Sequence, residues 1–242
     1  MIQLKKSLKN FLLKKGFKIS KINNSVIQHD NPFLAVYSKF NQKSFIAFDV
    51  GANSGDTVKK IKKVIPNASI HCFEPSKIVF KYLIENVKKF PDVICNQIAL
   101  GSEVSISQFN EYSWNVLNSF FKRKYTTSQI VETYPVEITK LDLYFEKHKL
   151  RYINILKTDT EGFELNVLKG AESIFKQNKV QFVLVEALFD ENFIGQASFG
   201  DIYNYLIMNG FSIVRFYDFT YTNDNLVSRS DVLFYNKNFL FN

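Results

Sequence analysis

The residues most able to do chemistry in this chain lie beside glycines or at the ends of apolar runs. In residues 45–56, FIAFDVGANSGD, Asp49 sits near the end of an apolar run. Gly51 and Gly55 then bracket a turn around Asn53, and helical spacing resumes through Val58, Ile61, Val64 and Ile65. Glycines there let the backbone approach a ligand closely, and a helix start offers unpaired N–H groups. A dinucleotide site needs the spacing G-x-G-x-x-G to receive a pyrophosphate. This chain has no third glycine, and Asp49 and Asp56 flank the turn. Two carboxylates would repel a diphosphate but suit a sulfonium and an ammonium. About 20 residues further on, Glu74 and Pro75 end HCFEP, where an acid accepts hydrogen bonds from both ribose hydroxyls. The ligand expected is adenosine with a cationic tail, S-adenosylmethionine.

A methyl transfer from that ligand needs the acceptor aligned, and an alcohol acceptor must also lose its proton. Asp159, after the apolar run 153–156, is the first candidate for the base, with Glu161 and Glu186 next. Each has a plainer role open to it, since an acid at a helix start caps N–H groups and complements the helix dipole. Three acids on one rim could also hold magnesium or calcium. His29, His71 and His148 all lie apart from them, which disfavours zinc or iron. The expected site is metal-free.

These residues must be carried by alternating elements. Strands are predicted over 45–50, 68–73, 93–98, 153–156 and 180–188. Helices are predicted over 57–65, 78–90, 141–148, 163–177 and 202–208. Such alternation implies a parallel sheet with right-handed crossovers, helices on both faces and ligands beyond the carboxyl ends of the strands. Asp49, Glu74, Asn96 and Asp159 all fall at or just after strand ends, on one rim. Residues 104–109 and 135–138 read as short strands. Residues 111–131 read as a long unpatterned loop carrying Trp114, either a lid or a surface insertion.

In order along the chain, DVGANSGD, FEPS, NQIALG (96–101), KTDTEGFE (157–164) and KGAE (169–172) resemble the motifs of the FkbM-type methyltransferases, a class I family. The likeness spans about residues 45–235. It implies a Rossmann-like α/β fold with a mostly parallel seven-stranded sheet, closed by residues 211–217 and 231–235 as an antiparallel pair. It implies S-adenosylmethionine as cofactor, met by Asp49, Gly51, Asn53, Gly55, Asp56, Glu74, Pro75, Asn96, Ala99 and Asp159. The activity implied is O-methylation of a hydroxyl on a sugar, glycan or secondary metabolite. Two positions depart from the pattern: Thr160 stands where Val or Ile is usual, and Leu143 where a second acid commonly follows Asp142. The rival readings are a nucleotide-dependent oxidoreductase on the same scaffold and a non-catalytic binding module.

Composition bounds the rest. An apolar content of 46% with 16% aromatic residues is that of a folded chain long enough for one sizeable core. Residues 1–43 carry nine lysines against Asp30, which accounts for the whole net charge of +8. The body, residues 44–242, is therefore neutral, and a broad nucleic-acid-binding surface is disfavoured. Leu4, Leu8, Phe11 and Leu12 give the basic arm an apolar stripe, for packing on the body or for peripheral contact with an anionic membrane. Cys72 and Cys95 read as reduced core thiols. With no secretory signal or spanning run, the expected location is cytoplasmic, including the inner face of the membrane.

Overall fold

The computed structural model describes residues 11–15, 30–39 and 44–239. The chain divides into two units, residues 1–30 and residues 31–242. In the first, residues 11–14 are helical, and Lys15 N–H donates to the Phe11 carbonyl at 3.2 Å. The rest of the basic amphipathic stripe lies outside the described residues. The unit boundary falls earlier than the expected 43/44 because helix α1 (Pro32–Ser38) buries Phe33, Ala35 and Val36 in the core of the second unit.

In that unit β1 (Ile46–Val50), α2 (Asp56–Val64), β2 (Ser69–Phe73), α3 (Lys77–Val87) and β3 (Val93–Asn96) follow in alternation. After an insertion come α4 (Leu141–Lys147), β7 (Ile153–Thr158), α5 (Glu164–Lys169), α6 (Glu172–Lys176), β8 (Val180–Leu188), α7 (Phe199–Met208), β9 (Phe211–Tyr221) and β10 (Val227–Asn236). The seven strands lie in the order β3-β2-β1-β7-β8-β10-β9. Pairings from β3 through to β8 are parallel, and β10 runs antiparallel to both β8 and β9. This is the expected class I sheet. Strand order reverses between β1 and β7, so the crevice beyond their carboxyl ends is the natural ligand site.

The central strands are buried on both faces, and alternate residues feed two different cores. Phe48, Leu156, Val183 and Val185 join one cluster, and Ala47, Ile155, Phe182 and Leu184 the other. That two-sided burial is why these strands read as continuous apolar runs.

Two expectations are corrected. The helix predicted over 163–177 is broken into α5 and α6 at Gly170-Ala171, where Ala171 leaves helical geometry (φ −104°, ψ 13°) and Gly170 packs so closely on the insert that a Cβ would stand 2.2 Å from the Gly101 carbonyl oxygen. The second piece gains a cap of its own, the Asp142 carboxylate, which accepts from Ser173 N–H and Ile174 N–H at 3.0 Å each. The strands expected over 104–109 and 135–138 run longer and belong to a second sheet, so that of the expected loop 111–131 it is residues 113–129 that connect them outside any strand. Strands β5 (Ser105–Tyr112) and β6 (Ile130–Thr139) pair antiparallel, with β4 (Ala99–Leu100) parallel to β6. Between them a 3₁₀ turn spans Asn115–Leu117. The outer half of β6 is exposed, so it lacks the apolar alternation that marks a half-buried strand. Ala99, Phe109, Tyr134, Val136 and Ile138 give this insert a small core, with Phe163 packed against it.

Candidate functional site

A cleft of about 680 Å³ opens at the carboxyl ends of β1, β2, β7 and β8, roofed by the insert. That volume lies within the range of ~300–1,000 Å³ typical of small-molecule sites.

One side of the cleft is the turn after β1. Gly51 takes φ 78°, and a Cβ there would lie 1.8 Å from the Asp159 carbonyl oxygen. Only glycine allows the β1 turn to touch the end of β7 this closely. Asn53 follows with φ 44° and donates its N–H to Glu74 Oε2 at 2.9 Å. Ser76 N–H donates to Glu74 Oε1, also at 2.9 Å. Glu74 is thus a buried acid gripped by two backbone donors at the cleft wall. Burial pushes its carboxyl up to about 7, against the pull of those two donors.

The predicted cofactor residues do not all reach the cleft. Gly51, Asn53, Asp56, Glu74, Pro75, Ala99 and Asp159 line it; Asp49, Gly55 and Asn96 do not. Asp56 stands at the mouth in an ion pair with Lys59 at 2.8 Å. Gly55 serves packing, since a Cβ on it would meet Val87 Cγ1 of α3 at 2.8 Å. Asn96 supports the wall from behind: its carbonyl accepts from Glu74 N–H at 3.1 Å, and its amide donates to the Cys72 carbonyl at 3.0 Å. Asp49 is wholly buried beneath the turn with Lys157 Nζ 3.6 Å away, and burial drives its carboxyl upward against that ammonium.

The other side carries Asp159, Glu161 and Glu186, which can bring one carboxylate oxygen each to within 4.8 Å of one another. They come from the end of β7, the turn after it, and β8. Glu161 (φ 53°) and Gly162 (φ 98°) form a left-handed pair that turns the acid into the cleft. Glu164 holds this turn shut, its Oε1 accepting from Thr160 N–H (2.7 Å), Thr160 Oγ1 (3.0 Å) and Gly162 N–H (3.2 Å). Thr160 therefore departs from the family pattern with a use, since its hydroxyl adds a bond that Val or Ile could not make.

Electrostatics separate the three acids. Burial raises the Asp159 carboxyl, but Lys157 Nζ at 2.9 Å outweighs it and holds the group below its usual range. Glu161 is pushed up to about 8, first by burial and then by Asp159 and Glu164, with Arg123 only 3.7 Å away in loose opposition. Glu186 is raised well above normal by burial and by Asp159 and Glu161, although Arg229 Nη1 donates to its Oε1 at 2.9 Å. Each acid thus has a basic side chain beside it, and the chain itself supplies the counter-charge. Asp159, held lowest, is the poorest base of the three, and Glu161 is raised into the range where a carboxylate can take a proton near neutral pH.

Lys157, Glu164, Arg123 and Arg229 went unassigned in the sequence. A lysine ending a wholly buried strand was the legible signal for Lys157. Arg123 and Arg229 reach the acids only through tertiary folding, from the insert and from β10, and no local pattern marks them.

A model of the "Methyltransferase FkbM domain" matches residues 49–219. The chain belongs to the FkbM methyltransferase family. The matched domain is a methyltransferase domain whose cofactor is S-adenosylmethionine, and the cleft presents an acid held by backbone at one wall and a row of three acids at the other. A curated relative, "Methyltransferase 1" of Beauveria bassiana (strain ARSEF 2860), is 28% identical over 151 residues, 55% of this chain and 60% of its own length. The chain thus spans less than two thirds of that relative. Among solved structures, an rRNA methylase from Streptococcus thermophilus aligns over 87% of this chain and 98% of its own at 11% identity and TM-score 0.49. Fibrillarin from Aeropyrum pernix with bound S-adenosyl-L-methionine aligns over 85% and 76% at 13% identity and TM-score 0.43. No helix among the described residues is long and apolar enough to cross a membrane.

Proposed function

We propose that this FkbM-family methyltransferase methylates a hydroxyl oxygen of a polyhydroxylated small molecule or glycan, with Glu161 as the base. The observation that carries the reading is a carboxylate raised to about 8, lining the cleft and turned into it by a left-handed backbone. An alcohol is a poor nucleophile until its proton leaves, and a base poised near neutral pH removes it most effectively. Glu161 takes over the role that sequence assigns first to Asp159, because Lys157 keeps Asp159 ionised and occupied. Asp159 and Lys157 then act as a fixed dipole at the floor of the cleft.

Glu74 accepts the ribose hydroxyls, Gly51 and Asn53 form the cradle beneath the amino-acid tail, and Pro75 and Ala99 flank the adenine. S-adenosylmethionine supplies a sulfonium-activated methyl group, so the protein's contribution is alignment, proton removal and exclusion of water. On the acceptor side the cleft presents Asn115, Asn118, Asn192, Thr220 and Ser228, side chains that exchange hydrogen bonds with hydroxyls, and Trp114 as an exposed apolar face.

The test is Glu161→Gln, assayed by methyl incorporation from labelled donor into a panel of glycan and polyol acceptors, with S-adenosylhomocysteine affinity measured in parallel. Turnover should fall at least about a hundredfold with affinity unchanged, the usual size of a general-base contribution. Full turnover in the variant would remove Glu161 from the chemistry.

A further inference from the structure

Glu111 lies on β5 in the insert, outside every motif of the family, and is buried, only 3% exposed. Its Oε1 accepts two short hydrogen bonds, from Ser76 Oγ at 2.5 Å and from Tyr134 OH at 2.6 Å. Ser76 is the residue whose N–H grips Glu74 Oε1 at 2.9 Å, and its Oγ also caps α3 by accepting from Val79 N–H at 3.0 Å. Tyr134 closes the loop from the other side, its hydroxyl accepting from Lys77 N–H at 3.1 Å while Lys77 Nζ stands 4.1 Å above its ring. The segment 74–77, which carries one wall of the cleft, is therefore pinned at two successive residues by one buried carboxylate of the insert.

The neighbouring residue of β5 ties the opposite wall. Asn110 and Ser119 exchange backbone hydrogen bonds at 2.9 and 3.1 Å, and Ser119 Oγ donates to the Glu161 carbonyl at 2.7 Å. Two adjacent residues of one strand thus reach both halves of the cleft.

We propose that Glu111 is a positioning residue for the cofactor: through Ser76 it fixes the rotation of the 74–77 segment, and so the direction in which Glu74 presents its carboxylate. The insert is then part of the donor site as well as the roof over the acceptor, and holding Glu74 in advance spares the ordering cost at binding. This rests on Glu74 being the ribose-binding acid, and the experiment separates the two.

Calorimetric titration with S-adenosylhomocysteine compares wild type, Glu74→Ala, Glu111→Ala, the double variant and Glu111→Gln. Glu111→Ala should weaken binding about tenfold, the size of one lost charge-assisted hydrogen bond acting through its partner. Glu111→Gln keeps an acceptor oxygen and should restore affinity to within about threefold of wild type. In the Glu74→Ala background, Glu111→Ala should cost less than about twofold more, because the group it aims is gone. Losses that simply multiply in the double variant, or wild-type affinity in Glu111→Ala, would reduce Glu111 to a packing role. Wild-type affinity in Glu74→Ala would instead strike out the ribose assignment and the inference with it. If Glu111→Ala does not fold, Ser76→Ala cuts the same link from its other end. Affinity unchanged there overturns the proposal, and a comparable loss upholds it.

Discussion

The two walls of the cleft are built by opposite means. The wall after β1 and β2 is made of main chain: Gly51 without a side chain, Asn53 and Ser76 offering N–H groups, and one carboxylate held between them. The facing wall is made of side chains with competing charges, Asp159, Glu161 and Glu186 against Lys157, Arg123 and Arg229, drawn from β7, β8, β10 and the insert. Backbone donors cannot be substituted away, so the first wall is robust in recognising one invariant ligand. Charged side chains can be exchanged one at a time and their acidities shifted, which suits the wall that must meet a particular acceptor and move a proton. On the proposed reading, that difference separates binding from chemistry.

Gly51→Ala should break the comparison altogether, since the contact it destroys joins the two walls. A methyl group 1.8 Å from the Asp159 carbonyl oxygen, on a residue with φ 78°, forces the ends of β1 and β7 apart. The expected outcome is no soluble folded protein, or a loss above about 5 kcal/mol in urea unfolding, the exceptional class for a single substitution. Wild-type stability would mean the walls are less tightly joined than the structure has them.

Lys157→Met should injure the charged wall. The ammonium sits 2.9 Å from Asp159 and 3.6 Å from Asp49, and Asp49 has no hydrogen-bond partner on either oxygen. Removing one member of a buried ion cluster leaves the rest uncompensated and typically costs ~3–5 kcal/mol. Urea unfolding at pH 7 measures it, and a cost under about 1 kcal/mol would show that the two acids take up protons without strain.

The same contrast governs what sequence could reveal. The main-chain wall is local: glycine spacing, Glu74 about 20 residues on and the alternation of strands and helices are all set by near neighbours, so the sheet and the residues lining that wall were legible. Gly55 and Asn96 stand behind the cleft lining, and sequence does not foretell this for Gly55, because a glycine needed for helix packing and one needed for ligand approach look alike there. The charged wall depended on which acid a lysine would choose. KTDTEGFE shows three candidates, and only the fold pairs Lys157 with Asp159, spends Glu164 on closing a turn and leaves Glu161 facing the cleft. Arg229 and Glu111 arrive from elements whose partners lie 43 and 35 residues away, beyond any local pattern.

The smallest effect divides the charged wall itself. The Glu161 carboxyl stands at about 8 when folded against an unfolded value near 4.5, so the folded chain binds the extra proton between those limits. Stability must therefore fall as pH rises from about 4.5 to 8, because ionising Glu161 beside Asp159 and Glu164 is unfavourable. Glu161→Gln cannot ionise and should escape this decline: the two proteins should match near pH 5, and the variant should be more stable by at least about 1 kcal/mol at pH 9. Asp159 carries the opposite sign. Its carboxyl is held below 3.8 in the folded state by Lys157, so its contribution is present above that value and is lost as pH falls through the lowered one. Asp159→Asn should accordingly be less stable than wild type at pH 7 and draw level only in strong acid. Urea midpoints for the three proteins from pH 3 to pH 9 decide the matter. Parallel curves for wild type and Glu161→Gln would mean that Glu161 titrates normally, and the case for it over Asp159 as the base would lose its footing.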